Sequence, residues 1–330
     1  MPEALYDARS IAAQVLALPQ PDEGPSVAGM TGDLQANFYL PGDLRQSAKA
    51  GNHNFIGKIE SVLRESGMHV RFCDPLDARR MDTGYSLFHM QDPLNAKGVT
   101  IRRTYFYPFW QIERSNQRWD WDIAKAQFEL PGGKRGEAEQ FFSFWQSRLY
   151  KDALKDVSND GFVYVPLQGR LLERRSFQEC SPIRMLKHVI AAESKKRVIA
   201  TLHPKEHYEA DEIQVLEKLE NEVPHLEIRV GDMETLLARC AYIVTQNSSA
   251  AFSGLFFRKP SVLFAKVDFH HISANVSQLG VKEAFDQVQH LKPDYAGYVW
   301  WFLQRMSINA GRPEAKEKIR TRLLEMGWPV

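Results

Sequence analysis

The chain has 330 residues, 44% hydrophobic and 25% charged, and its 42 Lys and Arg nearly balance 41 Asp and Glu for a formal net charge of +1. That length exceeds what one hydrophobic core comfortably fills, so two domains are expected. The near-zero balance excludes a general pull toward nucleic acid or an anionic membrane, and any anion site must be local.

In chain order, residues 4–18 read as a short helix, followed by the Pro/Gly-rich linker "PQPDEGPSVAGMTGD". This opening lacks the basic n-region and apolar core of a signal peptide. No apolar run approaches the ~20 residues of a membrane-spanning helix. A cytoplasmic protein that could still dock at the inner face of a membrane is expected. "NFYLPGD" reads as a buried strand stopping at Pro41-Gly42-Asp43, and "LRQSAKAGNHN" as a loop. In "FIGKIESVLRESG" the apolar Phe55, Ile56, Ile59, Val62 and Leu63 have helical spacing, with Gly67 as the stop. "MHVRFCD" is the next strand and completes a β-α-β unit. "SLFHM" and "VTIRRTYFYPFW" continue the strand readings, and "EAEQFFSFWQSRLYKDAL" is a helix. The charged, turn-rich "KDVSNDG" at 155–161 is the expected domain boundary.

Beyond it strands and helices alternate: "FVYVPLQ", then helix "SPIRMLKHVIAAESK", strand "RVIATLHP", helix "EADEIQVLEKLENEV", strand "LEIRVG", helix "METLLARC", strand "AYIVTQ", helix "SSAAFSGLFFR" and a last strand "PSVLFA". Such alternation describes a doubly wound parallel sheet. Two late helices, around 299–306 and 314–326, are expected to cap the assembly. The expected fold is therefore α/β, two Rossmann-like doubly wound domains with C-terminal capping helices. Its boundaries are an N-terminal helix and linker over 1–34, a first domain over 35–155, a second over 156–295 and C-terminal helices packing back over 296–330.

The three cysteines, Cys73, Cys180 and Cys240, lack CxxC spacing. That argues against a disulfide framework or a zinc site and suits a reducing compartment. In open α/β sheets ligands bind beyond the carboxyl ends of the strands. In the second half those ends carry Gln168, His203-Pro204-Lys205 and Gln246-Asn247-Ser248-Ser249. A His held by the following Pro at a strand end can donate to a phosphate oxygen, and Lys205 adds charge; the same His could simply fill a turn. Asn247, Ser248 or Ser249 falls at the start of the next helix, where one such residue suffices as an N-cap. The exposed amides and hydroxyls of that turn are also an anion site. Two anion-competent strand ends in one domain favour a nucleotide phosphate.

"FVYVPLQ", "IATLHPKEH" and "VTQNSSAAFSGLFFRKPSVLF", in this order and spacing, resemble the capsular polysaccharide glycosyltransferases that move Kdo from CMP-Kdo. They are similar, more distantly, to bacterial sialyltransferases with His-Pro and Ser-Ser motifs. The resemblance covers mainly residues 160–270. It implies the GT-B architecture of two Rossmann-like domains facing a cleft. It also implies that His203, with Pro204 shaping its turn, and Ser248 and Ser249 contact the CMP phosphate, with Asn247 supporting the turn. It matches the family's Lys-Pro at Lys259-Pro260. It departs from the family at Ser253-Gly254, where a Glu is common.

In the first half, Asp43 and His53 stand where a catalytic base facing an acceptor is needed, and Asp43 could equally be a carboxylate nucleophile. The bland reading is a turn Asp and a loop His. The aromatic run "YFYPFWQIERSNQRWDWD" is either a sugar platform or core, with core favoured. Adjacent His270-His271 diverge in direction and make a poor metal pair. Neither "GNHNFIGK" nor "PGGKRG" fits a phosphate-loop pattern, and no GxGxxG follows the first strand. The expectation is a metal-independent glycosyltransferase whose co-substrate is a nucleotide sugar, CMP-linked by the resemblance, with no other cofactor, no nucleic acid, and a glycan or glycolipid acceptor in surface polysaccharide synthesis. A nucleotide-sugar epimerase of the same fold, or a non-catalytic nucleotide- or glycan-binding member, are the alternatives.

Overall fold

The computed structural model describes residues 34–79 and 82–330, so the helix expected over 4–18 and its linker up to residue 33 lie outside the described residues. By contacts the chain divides into two compact units, one running to Trp121 and resuming over Ser307–Val330, the other spanning Asp122–Met306.

In the first unit, β1 (Gln35–Tyr39) is followed by helices α1 (Gly42–Lys49) and α2 (Asn54–Glu65) and by strands β2 (His69–Cys73), β3 (Tyr85–His89), β4 (Gly98–Arg103) and β5 (Phe109–Glu113). Strands β2-β1-β3-β4 lie side by side and parallel, and β5 closes the edge antiparallel to β4. The late strand Ile308–Asn309 pairs antiparallel with β5 and completes a six-stranded sheet. Phe55, Ile56, Ile59, Val62 and Leu63 of α2 pack on Phe38, Leu87, Val99 and Ile101 with Ile319 and Leu323 of the helix Ala315–Glu325. The apolar spacing seen in the sequence is thus the face α2 buries.

Two local expectations are corrected. The stretch after Pro41 is helix α1 rather than loop: Pro41 stands at its N-cap, Asp43 lies in the positive first turn, and Ala48 faces inward. "VTIRRTYFYPFW" is not one strand but β4 and β5 joined by a hairpin in which the Thr104 N–H bonds the Phe109 carbonyl at 2.8 Å. Pro108 has no N–H to continue a ladder, and Tyr105 takes a left-handed φ of 58° at the turn.

The second unit opens with α3 (Asp122–Lys125) and α4 (Arg135–Tyr150). There follow β6 (Val163–Pro166), α5 (Pro182–Ala192), β7 (Val198–Leu202), α6 (Ala210–Glu222), β8 (Leu226–Val230), α7 (Met233–Arg239), β9 (Tyr242–Thr245), α8 (Ser249–Leu255), β10 (Ser261–Leu263) and β11 (Ala274–Asn275). The strands are parallel in the order β11-β10-β9-β6-β7-β8. Counted from β6 this is 3-2-1-4-5-6 read from the opposite edge, the doubly wound order with its reversal between β6 and β9. "PSVLFA" is not the last strand, since β11 extends the sheet by two residues.

The segment 155–161 lies within this unit, not at its border. The Ser158 and Asp160 N–H groups bond the Ala238 and Arg239 carbonyls at 3.1 and 2.9 Å, and the Arg239 guanidinium holds the Asp160 carboxylate at 2.8 Å. Lys155 is likewise paired, with Asp152 at 2.8 Å. Helix α4 also packs here, Phe142 stacking on Phe256 at 5.6 Å. Among the described residues no helix is long and apolar enough to cross a membrane.

Candidate functional site

The reversal of strand order between β6 and β9 leaves a crevice beyond their carboxyl ends, because the connecting helices depart to opposite faces. The register pairs Pro166 with Thr201 and Tyr164 with Ile243. Continued past the strand ends, it sets Gln168 level with His203 on one side and Asn247 on the other. Three adjacent strands thus deliver His203, Gln168 and Asn247 to one edge. The contacts agree: Gln168 Oε1 accepts the Asn247 N–H at 3.3 Å, and Thr245 Oγ1 donates to the Pro166 carbonyl at 3.0 Å. The Asn247 amide then reaches the Lys266 carbonyl beyond β10 at 3.2 Å.

Ser248 is the N-cap of α8, its hydroxyl accepting from the Ala250 N–H at 3.3 Å, and Ser249 is exposed in the first turn. The capping reading therefore holds for Ser248. The helix sits close on the sheet because Gly254 has no side chain: a Cβ there would overlap Ile243 Cδ1. Ser253 beside it is buried and hydrogen-bonds the Tyr150 hydroxyl. A carboxylate at either position would enter packed core, so this chain has built the position as a helix–sheet contact.

His203 is exposed just past β7. Its backbone N–H donates to the Tyr208 hydroxyl at 2.9 Å, and its Nδ1 accepts the Lys205 N–H at 3.2 Å. With Nδ1 engaged as an acceptor, the neutral ring carries its proton on Nε2 and presents a donor. Pro204 and Lys205 are exposed in the same turn. The loops after β6 and β7 touch, since a Cβ at Gly169 would come within 2.7 Å of Glu206 Oε2. Buried Glu212 ties them further: its carboxylate accepts from the Leu171 N–H, and from the Glu209 N–H at 3.0 Å.

Sequence reasoning passed over the loop "RLLERRSFQE". Gln178 bridges to Ala265, the Lys266 N–H donates to the Phe177 carbonyl at 2.9 Å, and Arg174 Nε donates to the Gln178 carbonyl at 2.9 Å. These contacts carry Arg174 and Arg175 to the carboxyl end of β10. The Arg-Arg pair following a strand end was the available signal. Gln246 Nε2 donates to the Cys180 carbonyl at 2.9 Å. Its Oε1 and Gln178 Nε2 are buried without a partner among the described residues.

Asp43 and His53 belong to the first unit. Asp43 is exposed in the first turn of α1. His53 caps α2, Nδ1 accepting the Ile56 N–H at 3.2 Å, and its ring packs edge-on with Trp110 at 5.4 Å. His89, at the end of β3, was not singled out from the sequence; burial, then the nearby charge of His53, pushes its basicity down to about 4. The aromatic run is interior in part: Phe109, Trp110 and Trp121 are buried while Tyr107 is exposed, and Trp121 Nε1 donates to the Ser115 carbonyl at 2.8 Å.

His270 and His271 stack at 4.3 Å and both bond to the chain. His270 Nε2 meets the Ala124 carbonyl at 2.9 Å, and His271 meets the Ala126 carbonyl at 3.0 Å and the Tyr298 hydroxyl at 2.8 Å. They brace the segment around α3. Among the described residues no group of three or more His, Cys, Asp and Glu is placed to hold a metal ion.

No protein-family model and no curated protein matches the chain. Among solved structures it is similar to Thermosulfurimonas dismutans KpsC, a beta Kdo 2,7 transferase, at 10% identity and a TM-score of 0.53, covering 90% of this chain and 100% of that one. UDP-GlcNAc 2-epimerase from Neisseria meningitidis bound to UDP-GlcNAc follows at 9% identity and a TM-score of 0.30, covering 88% and 99%. A variant of the wall teichoic acid polymerase TagF stands at 9% identity and 0.30, covering 89% and 88%. Together with the two parallel-dominated sheets, the first likeness gives the chain a GT-B-like fold of two Rossmann-like α/β units.

Proposed function

We propose that the chain is a glycosyltransferase that takes a sugar from a nucleotide-activated donor, a CMP-linked acidic sugar such as Kdo, and passes it to a glycan or glycolipid acceptor in surface polysaccharide synthesis. The observation that carries this reading is the placement of His203, Gln168 and Asn247 side by side at the strand-order reversal of the second unit. There the donor phosphate meets the Nε2–H of His203, the Lys205 ammonium and the hydroxyls of Ser248 and Ser249, with Pro204 fixing the turn. These groups offset the phosphate charge without a metal ion. The likeness in fold to a Kdo transferase supports the choice of sugar.

On the acceptor side the reading gives Asp43 the part of the base, since its carboxylate is exposed. His53 uses its Nδ1 lone pair as a helix cap and so offers a donor. A glycolipid acceptor would bring the protein to the cytoplasmic face of a membrane. Calorimetric titration with CMP, UDP and GDP tests the donor: selective CMP binding is expected, and its absence removes the CMP-sugar transferase.

A further inference from the structure

The turn between β4 and β5 stands beyond the carboxyl edge of the first sheet, because β1, β3 and β4 run parallel and end there. Ligands of open α/β sheets bind at that edge. The turn carries three aromatic residues in a row, Tyr105, Phe106 and Tyr107. Hydrogen bonds fix its shape: the Phe109 N–H donates to the Phe106 carbonyl at 2.9 Å, and the Ala310 N–H donates to the Pro108 carbonyl at 2.9 Å. The Arg118 guanidinium covers the Tyr105 ring at 4.5 Å. Tyr107 differs from its neighbour. It is 55% exposed, and among the described residues no aromatic ring or cation packs on it.

The exposed ring is tethered at its hydroxyl. Asn54 Nδ2 donates to the Tyr107 hydroxyl at 3.4 Å and to the Ala310 carbonyl at 3.0 Å. A carbonyl only accepts, so Ala310 fixes which way the amide is turned. Asn54 Oδ1 is left as an acceptor without a hydrogen-bond partner among the described residues. Asn54 is itself exposed and opens α2, directly after His53. An uncovered aromatic face and an unspent amide oxygen thus stand side by side. The face of an aromatic ring is electron-rich and attracts the polarised C–H groups on the axial face of a pyranose. An amide oxygen accepts from a sugar hydroxyl. A ring already held in place loses little conformational entropy when it is covered.

We propose that Tyr107 is the stacking platform for a hexopyranose unit of a glycan, and that Asn54 Oδ1 accepts a hydroxyl of that unit. Naming this glycan as the acceptor rests on the transferase reading; the platform does not, because its residues all lie in the first unit. Both contacts are neutral. The feature recognised is the C–H face of the ring rather than an acidic substituent, so a neutral β-linked oligosaccharide suffices as a probe.

The test is proton NMR of cellotetraose titrated with the full chain, with sorbitol as a ring-free polyol, repeated for Tyr107→Phe and Tyr107→Ala. Cellotetraose ring protons should move upfield under the ring current of Tyr107, and sorbitol protons should not. Tyr107→Ala should lose about fivefold or more in affinity. Tyr107→Phe keeps the ring and drops only the hydroxyl, so it should stay within about threefold of the parent. Tyr107 is exposed, and urea unfolding at the parent's midpoint shows that both variants fold. No upfield shift, equal shifts for sorbitol, a Tyr107→Ala variant that binds like the parent, or a Tyr107→Phe variant as weak as Tyr107→Ala overturns the platform. Cellotetraose binding without CMP binding would remove the transferase reading and leave the platform standing; CMP binding without cellotetraose binding would do the reverse.

Discussion

Gln168 Oε1 accepts the backbone N–H of Asn247 at 3.3 Å, joining two loops 79 residues apart across the strand-order reversal of the second unit. This amide, together with the bond from Gln246 Nε2 to the Cys180 carbonyl, holds the turn before α8 against the loop after β6.

Replacing that amide tests the tie. Gln168→Ala should cost about 0.5–1.5 kcal/mol of stability, the worth of one net hydrogen bond. It should weaken CMP binding as well, because the Asn247-Ser248 turn loses its brace. Urea unfolding and calorimetry read the two effects; full CMP affinity in the variant would show that the turn is held by other contacts.

His203 offers a sharper contrast. Its Nε2–H is the proposed donor to phosphate, and its Nδ1 is occupied by Lys205. His203→Ala should weaken CMP by about 1.5–3 kcal/mol if a charge-assisted bond is lost. Affinity equal to the parent protein's would take away this role.

Glu212 acts on the site through the backbone. It is buried and accepts from both Leu171 and Glu209. Glu212→Ala strands those N–H groups, for an expected loss of about 1–3 kcal/mol. Glu212→Gln keeps one acceptor oxygen and should fall between. If the two variants unfold at the same urea concentration, the carboxylate is not the anchor of this loop.

Gly254→Ala should destabilise by about 1–3 kcal/mol, as overpacking does, because the added Cβ overlaps Ile243 Cδ1. A thermal melt unchanged from the parent would mean that α8 can lift from the sheet at no cost.

Two half-buried histidines predict an acid limb. Burial, with His53 second, holds His89 at about 4 against an ordinary 6.5, and burial followed by His270 does the same for His271. Between those values the unfolded chain binds more protons than the folded one, so stability is full above about pH 6.5 and declines as pH falls toward 4. For His89 alone the loss is on the order of 3 kcal/mol over the whole window. Unfolding followed between about pH 7.5 and 4.5 should show this slope, flattened in His89→Asn. An equal slope in that variant would falsify the assignment to His89.

Much was legible in the chain itself. Short apolar runs separated by amphipathic helices are local patterns, so the strands of the second unit and the face buried by α2 could be read from residue spacing. The polar residues at strand ends, His203 and Asn247-Ser248-Ser249, stood out for the same reason. Helix α1 was missed because its apolar face is narrow, with Ala48 its one fully buried residue. The β4–β5 hairpin was missed because its turn is aromatic rather than Gly- or Asn-rich. Strand order and register were beyond local reading, since they depend on which faces bury against each other across long stretches of chain. Only the tertiary structure could decide that Gln168 stands between His203 and Asn247. It likewise decided that Gly254 closes on Ile243, and that His53 packs edge-on against Trp110.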